Sequence, residues 1–105
     1  MSKRVLVVED EHKAREEICK LLEEHGYEVE GVADGNAALE AASSTRPDCV
    51  ITDLLIPGLH GFEVLQRFGD SARTRRVPVV IVSAKAYPAD IRAATELGAR
   101  AFLRK

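Results

Sequence analysis

Four short apolar runs punctuate the chain, at residues 5–8, 49–52, 79–82 and 101–103. The first three are rich in β-branched residues and nearly continuous rather than alternating, the pattern of parallel strands covered on both faces. Residues 27–32 make a weaker strand of mixed polarity, suited to a sheet edge. Between the strands lie helical patterns. Ala14, Ile18, Leu21 and Leu22 follow the spacing of one buried stripe, with Gly26 placed to end the helix. Residues 36–44 are Ala-rich around Leu39 and are closed by Pro47. Phe62, Val64, Leu65 and Phe68 form a third helix, opened after Pro57, Gly58 and Gly61. Ile91, Ala94 and Leu97 form a fourth, opened by Pro88 and closed by Gly98. Strands alternating with helices of this length predict a single open α/β sheet without repeats or linkers.

Composition narrows the class. The 105 residues are 46 % hydrophobic and 30 % charged, which is globular, and one hydrophobic core suffices for this length. Fifteen Lys and Arg against seventeen Asp and Glu leave a net charge of −2, with no bulk drive toward nucleic acid or anionic lipid. No apolar run approaches the roughly 18 residues of a membrane span, and no secretory signal opens the chain. Cys19 and Cys49 have neither redox nor zinc spacing and read as buried thiols in reducing cytosol. The cluster Arg73, Arg75 and Arg76 reads as a solvated loop. His12, His25 and His60 read as surface residues, although His12 and His60 flank the region discussed next.

The chemistry sits at the strand ends. Ligands of open α/β sheets bind beyond the carboxyl ends of the strands, at a switch in strand order. Glu9 and Asp10 follow the first strand, Asp53 the third, Ser83 the fourth and Lys105 the fifth. If the order is 2-1-3-4-5, Asp10 and Asp53 meet in one crevice. Like charges that close repel unless a cation sits between them. Mg²⁺, a hard ion that keeps several waters, suits two carboxylates and leaves room for a phosphate. An Asp beside such a metal, a Lys and a hydroxyl is a plausible phosphoryl acceptor. Either acid alone would read as a helix cap or a solvated loop.

These residues identify a resemblance. The chain resembles a response-regulator receiver domain of the CheY-like family through Val7-Val8-Glu9-Asp10-Glu11, Arg46-Pro47-Asp48, Ile51-Thr52-Asp53 and Leu54-Leu55-Ile56-Pro57-Gly58 to Gly61. Val77-Pro78-Val79-Val80-Ile81-Val82-Ser83-Ala84 and Gly98-Ala99-Arg100-Ala101-Phe102-Leu103-Arg104-Lys105 extend it over the whole chain. From Asp53 the intervals are 43 residues back to Asp10, 30 on to Ser83 and 52 on to Lys105, as is typical of that family. The resemblance implies a flavodoxin-like (βα)5 open parallel sheet in the order 2-1-3-4-5. It implies Asp53 as phosphoacceptor from a phosphohistidine on a histidine kinase or phosphotransfer protein. Mg²⁺ would be held by Asp10, Asp53, Glu9 through water, and the backbone carbonyl of Leu55. Lys105 would pair with the phosphoryl group. Ser83 would move toward the phosphate and let Phe102 turn inward, although an aromatic on the last strand also reads as plain core. Leu55 and Lys85 stand where the family tunes phosphoryl lifetime, and an apolar Leu55 implies slow hydrolysis.

Residues 1–105 therefore read as one receiver domain that stops at Lys105, with the family's fifth helix missing and the domain C-terminally incomplete. Met1, close before the first strand, reads as the start of an N-terminal receiver. Right-handed crossovers put the first helix alone on one face, so the sheet beside it is left open for a homodimer or a partner chain. The reading is of a cytoplasmic switch, not an enzyme, that binds neither membrane nor nucleic acid through this segment. Its alternative is a receiver-like interaction module not regulated by phosphorylation. An aspartyl-phosphate phosphatase would want an acid where Leu55 stands, and a flavin carrier would want a Gly- and Ser-rich loop where Glu9-Asp10-Glu11 stands.

Overall fold

The computed structural model describes residues 3–56, 58, 60–84 and 87–104. Met1, Pro57, Lys85 and Lys105, each given a part above, lie outside the described residues. The elements run β1 (Arg4–Val8), α1 (His12–Glu24), β2 (Glu28–Val32), α2 (Gly35–Thr45), β3 (Cys49–Asp53), α3 (Gly61–Asp70), β4 (Val79–Ser83), α4 (Pro88–Glu96) and β5 (Ala101–Arg104). The strands form one parallel sheet in the order β2-β1-β3-β4-β5, as expected, with the weaker β2 at an edge.

The two faces are unequally covered. Leu6, Val8, Val50, Val79 and Ile81 point into a core shared with Ala38, Ala41 and Ala42 of α2, Val64, Leu65 and Phe68 of α3, and Ala94 of α4. Each such large side chain taken fully from water contributes about 1.5–3 kcal/mol. The small residues of α2 let that helix approach the sheet closely. On the other face α1 packs on β1 and β2 and covers Val5 and Val7. Cys49, Ile51, Val80 and Val82 are only half-buried there, and Leu103 is 53 % exposed.

The α1 stripe differs from the expected one. Ala14, Arg15, Ile18, Cys19 and Leu22 are half-buried, whereas Leu21 is 56 % exposed. Arg15 and Cys19 pack on β2 at Gly31, which turns the helix toward β2 and leaves Leu21 on the opposite flank. Both thiols are therefore half-buried rather than fully buried. Burial pushes each thiol pKa up; Glu23 adds to this at Cys19, and Arg100 offsets part of it at Cys49.

Capping fixes the helix ends. Asp34 accepts the Ala37 N–H at 2.8 Å to start α2, and His60 Nδ1 accepts the Phe62 N–H at 3.1 Å to start α3. Gly26 and Gly98, at φ +89° and +101°, end α1 and α4 in the left-handed region that glycine adopts without cost. The α2 terminus uses Arg46 instead, at φ 47°, where a Cβ is disfavoured. Among the described residues no helix is long and apolar enough to cross a membrane.

Two outcomes follow from this packing. Arg46→Gly relieves the left-handed strain at an exposed position and should raise stability by about 0.5–1 kcal/mol, read as a higher urea midpoint at unchanged slope. With both thiol pKa values raised, less thiolate is present at a pH of about 8.5, the pKa of a free cysteine, so iodoacetamide should alkylate either one more slowly than a free thiol.

Candidate functional site

The register of the sheet assembles the site. Val8 of β1 stands opposite Thr52 of β3, and Asp53 stands opposite Val82 of β4. One residue past these pairs, Glu9 leaves β1 beside Asp53, and Ser83 ends β4 beyond Val82. The topology thus gathers at one end of three adjacent strands the groups that lie far apart in sequence. Glu9 is 3 % exposed, Ser83 3 % exposed, Asp53 half-buried and Asp10 exposed. Carboxylates at graded depth, with the central one reachable from solvent, suit a group that must accept a ligand from outside.

Backbone contacts set the pose of Asp53. Its Oδ1 accepts the Leu55 N–H at 3.3 Å, which turns the chain sharply after the strand. Leu54 and Ile56 are buried in the core and tie that turn down, while Leu55 is 64 % exposed. Gly61, the first residue of α3, donates its N–H to the Leu54 carbonyl at 2.8 Å. A Cβ at Gly61 would lie 2.9 Å from Leu54 O, 3.0 Å from Leu54 Cα and 3.2 Å from Asp53 O. The helix start therefore rests directly on the backbone that carries the central carboxylate. Gly58, at φ +87°, brings the same loop against the Asn36 side chain, where a Cβ would be 3.1 Å away.

The hydroxyl and the aromatic are linked through the sheet. Phe102 of β5 stands opposite Ile81, and Ser83 follows Ile81 by two residues, so Phe102 and Ser83 share one face of neighbouring strands. Phe102 is half-buried and packs against the core. β5 runs to Arg104 and so heads toward this end of the sheet; Lys105 itself is outside the described residues.

The donor set bears on the expected metal. Carboxylates of Glu9, Asp10 and Asp53 and the carbonyl of Leu55 are hard oxygen donors, with no Cys or His among them. Among the described residues no three His, Cys, Asp or Glu side chains stand close enough to hold an ion by themselves. One or two carboxylates, a carbonyl and water are what Mg²⁺ takes, so the residues present fit that ion.

The remaining polar residues take structural parts. His12 lies against Arg15 and Glu16 on the exposed side of α1, His25 against the Leu21 carbonyl, and His60 caps α3. Arg73 donates to the Ser43 carbonyl at 3.4 Å across to α2, and Arg75 and Arg76 are exposed. One contact was not anticipated from the sequence: Arg15 donates to the Glu9 carbonyl at 2.8 Å. Its traces were a charged residue inside the apolar α1 stripe and a glycine, Gly31, inside a strand pattern.

The comparisons with known proteins agree with this fold. The family described as "Response regulator receiver domain" matches residues 5–105. Protein PilH of Pseudomonas aeruginosa is 32 % identical over 102 residues, covering 97 % of this chain and 84 % of PilH. Response regulator PleD of Caulobacter vibrioides is 40 % identical over 106 residues, but the chain spans only 23 % of PleD. It likewise spans 46 % of the phosphate regulon transcriptional regulatory protein PhoB of Klebsiella pneumoniae. Chemotaxis protein CheY4 of Vibrio cholerae superposes with a TM-score of 0.94 at 30 % identity, covering 100 % of this chain and 88 % of CheY4. The receiver domain of sensor histidine kinase PA1611 of Pseudomonas aeruginosa, whose active-site cleft coordinates a magnesium ion, superposes at 0.90 and 30 % identity over 100 % of this chain and 86 % of its own length. By fold and by relatedness, this chain belongs to the response-regulator receiver-domain family of two-component signalling.

Proposed function

We propose that the domain is a phosphorylation-controlled switch in which Asp53 accepts a phosphoryl group from a phosphohistidine of a sensor histidine kinase or phosphotransfer protein. The observation that carries this reading is the position of Asp53, which ends the central β3 between Glu9-Asp10 on one neighbouring strand and Ser83 on the other. A carboxylate oxygen of Asp53 forms the new P–O bond as the P–N bond to the donor histidine breaks, and the imidazole leaves with the bonding pair. Mg²⁺, held by Asp10, Asp53, Glu9 through water and the Leu55 carbonyl, would neutralise phosphoryl oxygens and the crowded carboxylates. The magnesium in the PA1611 receiver domain and the manganese-bound form of response regulator Rcp1 support this choice of ion. Lys105 pairs with another phosphoryl oxygen.

The output follows from the Ser83 and Phe102 geometry. Ser83 turns its hydroxyl to the phosphoryl group, and Phe102, on the same face of the next strand, repacks into the space released. Only a few kcal/mol of difference between the two packings is needed for such a switch. The domain turns over no separate substrate: the phosphoryl group it gains and loses is its own, so it is not an enzyme. The half-buried row Ile51, Val80 and Val82 beside exposed Leu103 is available to a second copy or another chain. A near-neutral charge gives no support to direct nucleic-acid binding by this segment, and the donor class implies a cytoplasmic setting.

Intact mass after incubation with Mg²⁺ and a small acyl-phosphate donor tests the reading. One phosphoryl adduct is expected on the wild type, and none on Asp53→Asn or in the presence of a chelator. An adduct that persists on Asp53→Asn, or a folded wild type that never gains one, would point instead to an interaction module independent of phosphorylation. Gly61→Ala should slow adduct formation on the order of ten- to a hundredfold, because its Cβ displaces the Asp53–Leu54 backbone. The same substitution should cost about 1–3 kcal/mol in urea unfolding.

A further inference from the structure

The backbone of Glu9 is gripped from outside its own strand on both its N–H and its carbonyl. Glu9 donates its N–H to the Val32 carbonyl at 3.0 Å, and its carbonyl accepts from Arg15 Nη1 at 2.8 Å. Arg15 Nη2 lies 3.0 Å from His12 Nδ1. A guanidinium has donors only, so Nδ1 is the acceptor and the imidazole proton sits on Nε2. That nitrogen lies 3.2 Å from Glu16 Oε1, which closes a chain from the loop carbonyl to the surface of α1. The Arg15 stem reaches the loop across Gly31, where a Cβ would meet Cγ and Cδ at 3.1 Å.

We propose that Arg15 is a positioning residue for the acidic loop and that Gly31 is the slot through which it works. The Glu9 carbonyl and the Asp10 N–H belong to one rigid peptide plane, so a hydrogen bond on the carbonyl sets the direction in which Asp10 leaves β1. The inference rests on the Mg²⁺-dependent reading of the site given above. Two effects of Arg15 on cation binding oppose each other. Its positive charge near the carboxylates weakens binding, whereas its hold on the loop presents Asp10 ready-made. Here the fork is engaged by a backbone carbonyl and a ring nitrogen, so positioning wins.

The sign of the effect is the test. Mg²⁺ is titrated calorimetrically into wild type, Arg15→Met and Arg15→Lys, each checked for folding by circular dichroism. In parallel, ¹⁵N order parameters are measured at Asp10 and Glu11 in the metal-free proteins. Arg15→Met should weaken Mg²⁺ binding on the order of tenfold, the usual cost of losing a partner that orients a metal ligand. Arg15→Lys keeps the charge but not the planar fork, and should weaken it comparably. The order parameter at Asp10 should fall in both. A folded Arg15→Met that binds Mg²⁺ as tightly as wild type, or more tightly, overturns the proposal. Should Arg15→Met fail to fold, Arg15→Lys decides by the same criteria. Should wild type bind no Mg²⁺, the metal-dependent reading falls, and the positioning role is decided by the order parameters alone: unchanged values overturn it.

Discussion

The β1–β3 register is the constraint from which the site derives. Val8 opposite Thr52 brings Glu9 level with Asp53, with Asp10 following in the same loop. A slip of one residue would turn each apolar side chain of the strand to the other face and carry the acids out of reach of one another. The core prevents that slip, because Leu6, Val8 and Val50 are each almost completely buried between sheet and helices. Apolar packing therefore fixes which acidic residues leave the sheet at the same end.

The unequal faces divide the labour of the molecule. Beneath α2, α3 and α4 the sheet is closed and tightly packed, with Val50, Val64 and Ile81 inaccessible to solvent. Closed packing transmits displacement, since a rearranged side chain must be accommodated by its neighbours. Ser83 and Phe102 lie on this side, where a small change of shape has consequences. The α1 face is looser, with no fully buried residue on the helix and an incompletely covered sheet. Its contribution to the site comes through one long side chain rather than through dense packing.

Absent side chains matter as much as present ones. Gly61 lets α3 begin on the Asp53–Leu54 backbone, and Gly31 lets Arg15 cross β2 to the Glu9 carbonyl. One supports the loop after β3 and the other the loop after β1. In both cases the missing methyl group allows a contact that fixes a backbone, and the backbone in turn aims a carboxylate.

Much of this was legible without coordinates. Continuous β-branched runs marked the strands, the helical stripes and their Gly and Pro punctuation marked the helices, and the acids at strand ends marked a candidate site. Those features are local, and their spacing is enough to state them. Arg15 and Leu21 were not legible, because periodicity places both near the apolar stripe of α1 and cannot say which flank meets a partner. Leu21 is exposed and Arg15 half-buried because Gly31 opens room on the β2 side of the helix. Nor could spacing tell that His60 Nδ1 caps α3 or that Arg46 ends α2 in a left-handed turn. The sequence by itself determined which groups could do chemistry and on which strands they end. The tertiary structure decided which backbone each is held by, because that depends on atoms brought together across the sheet rather than along the chain.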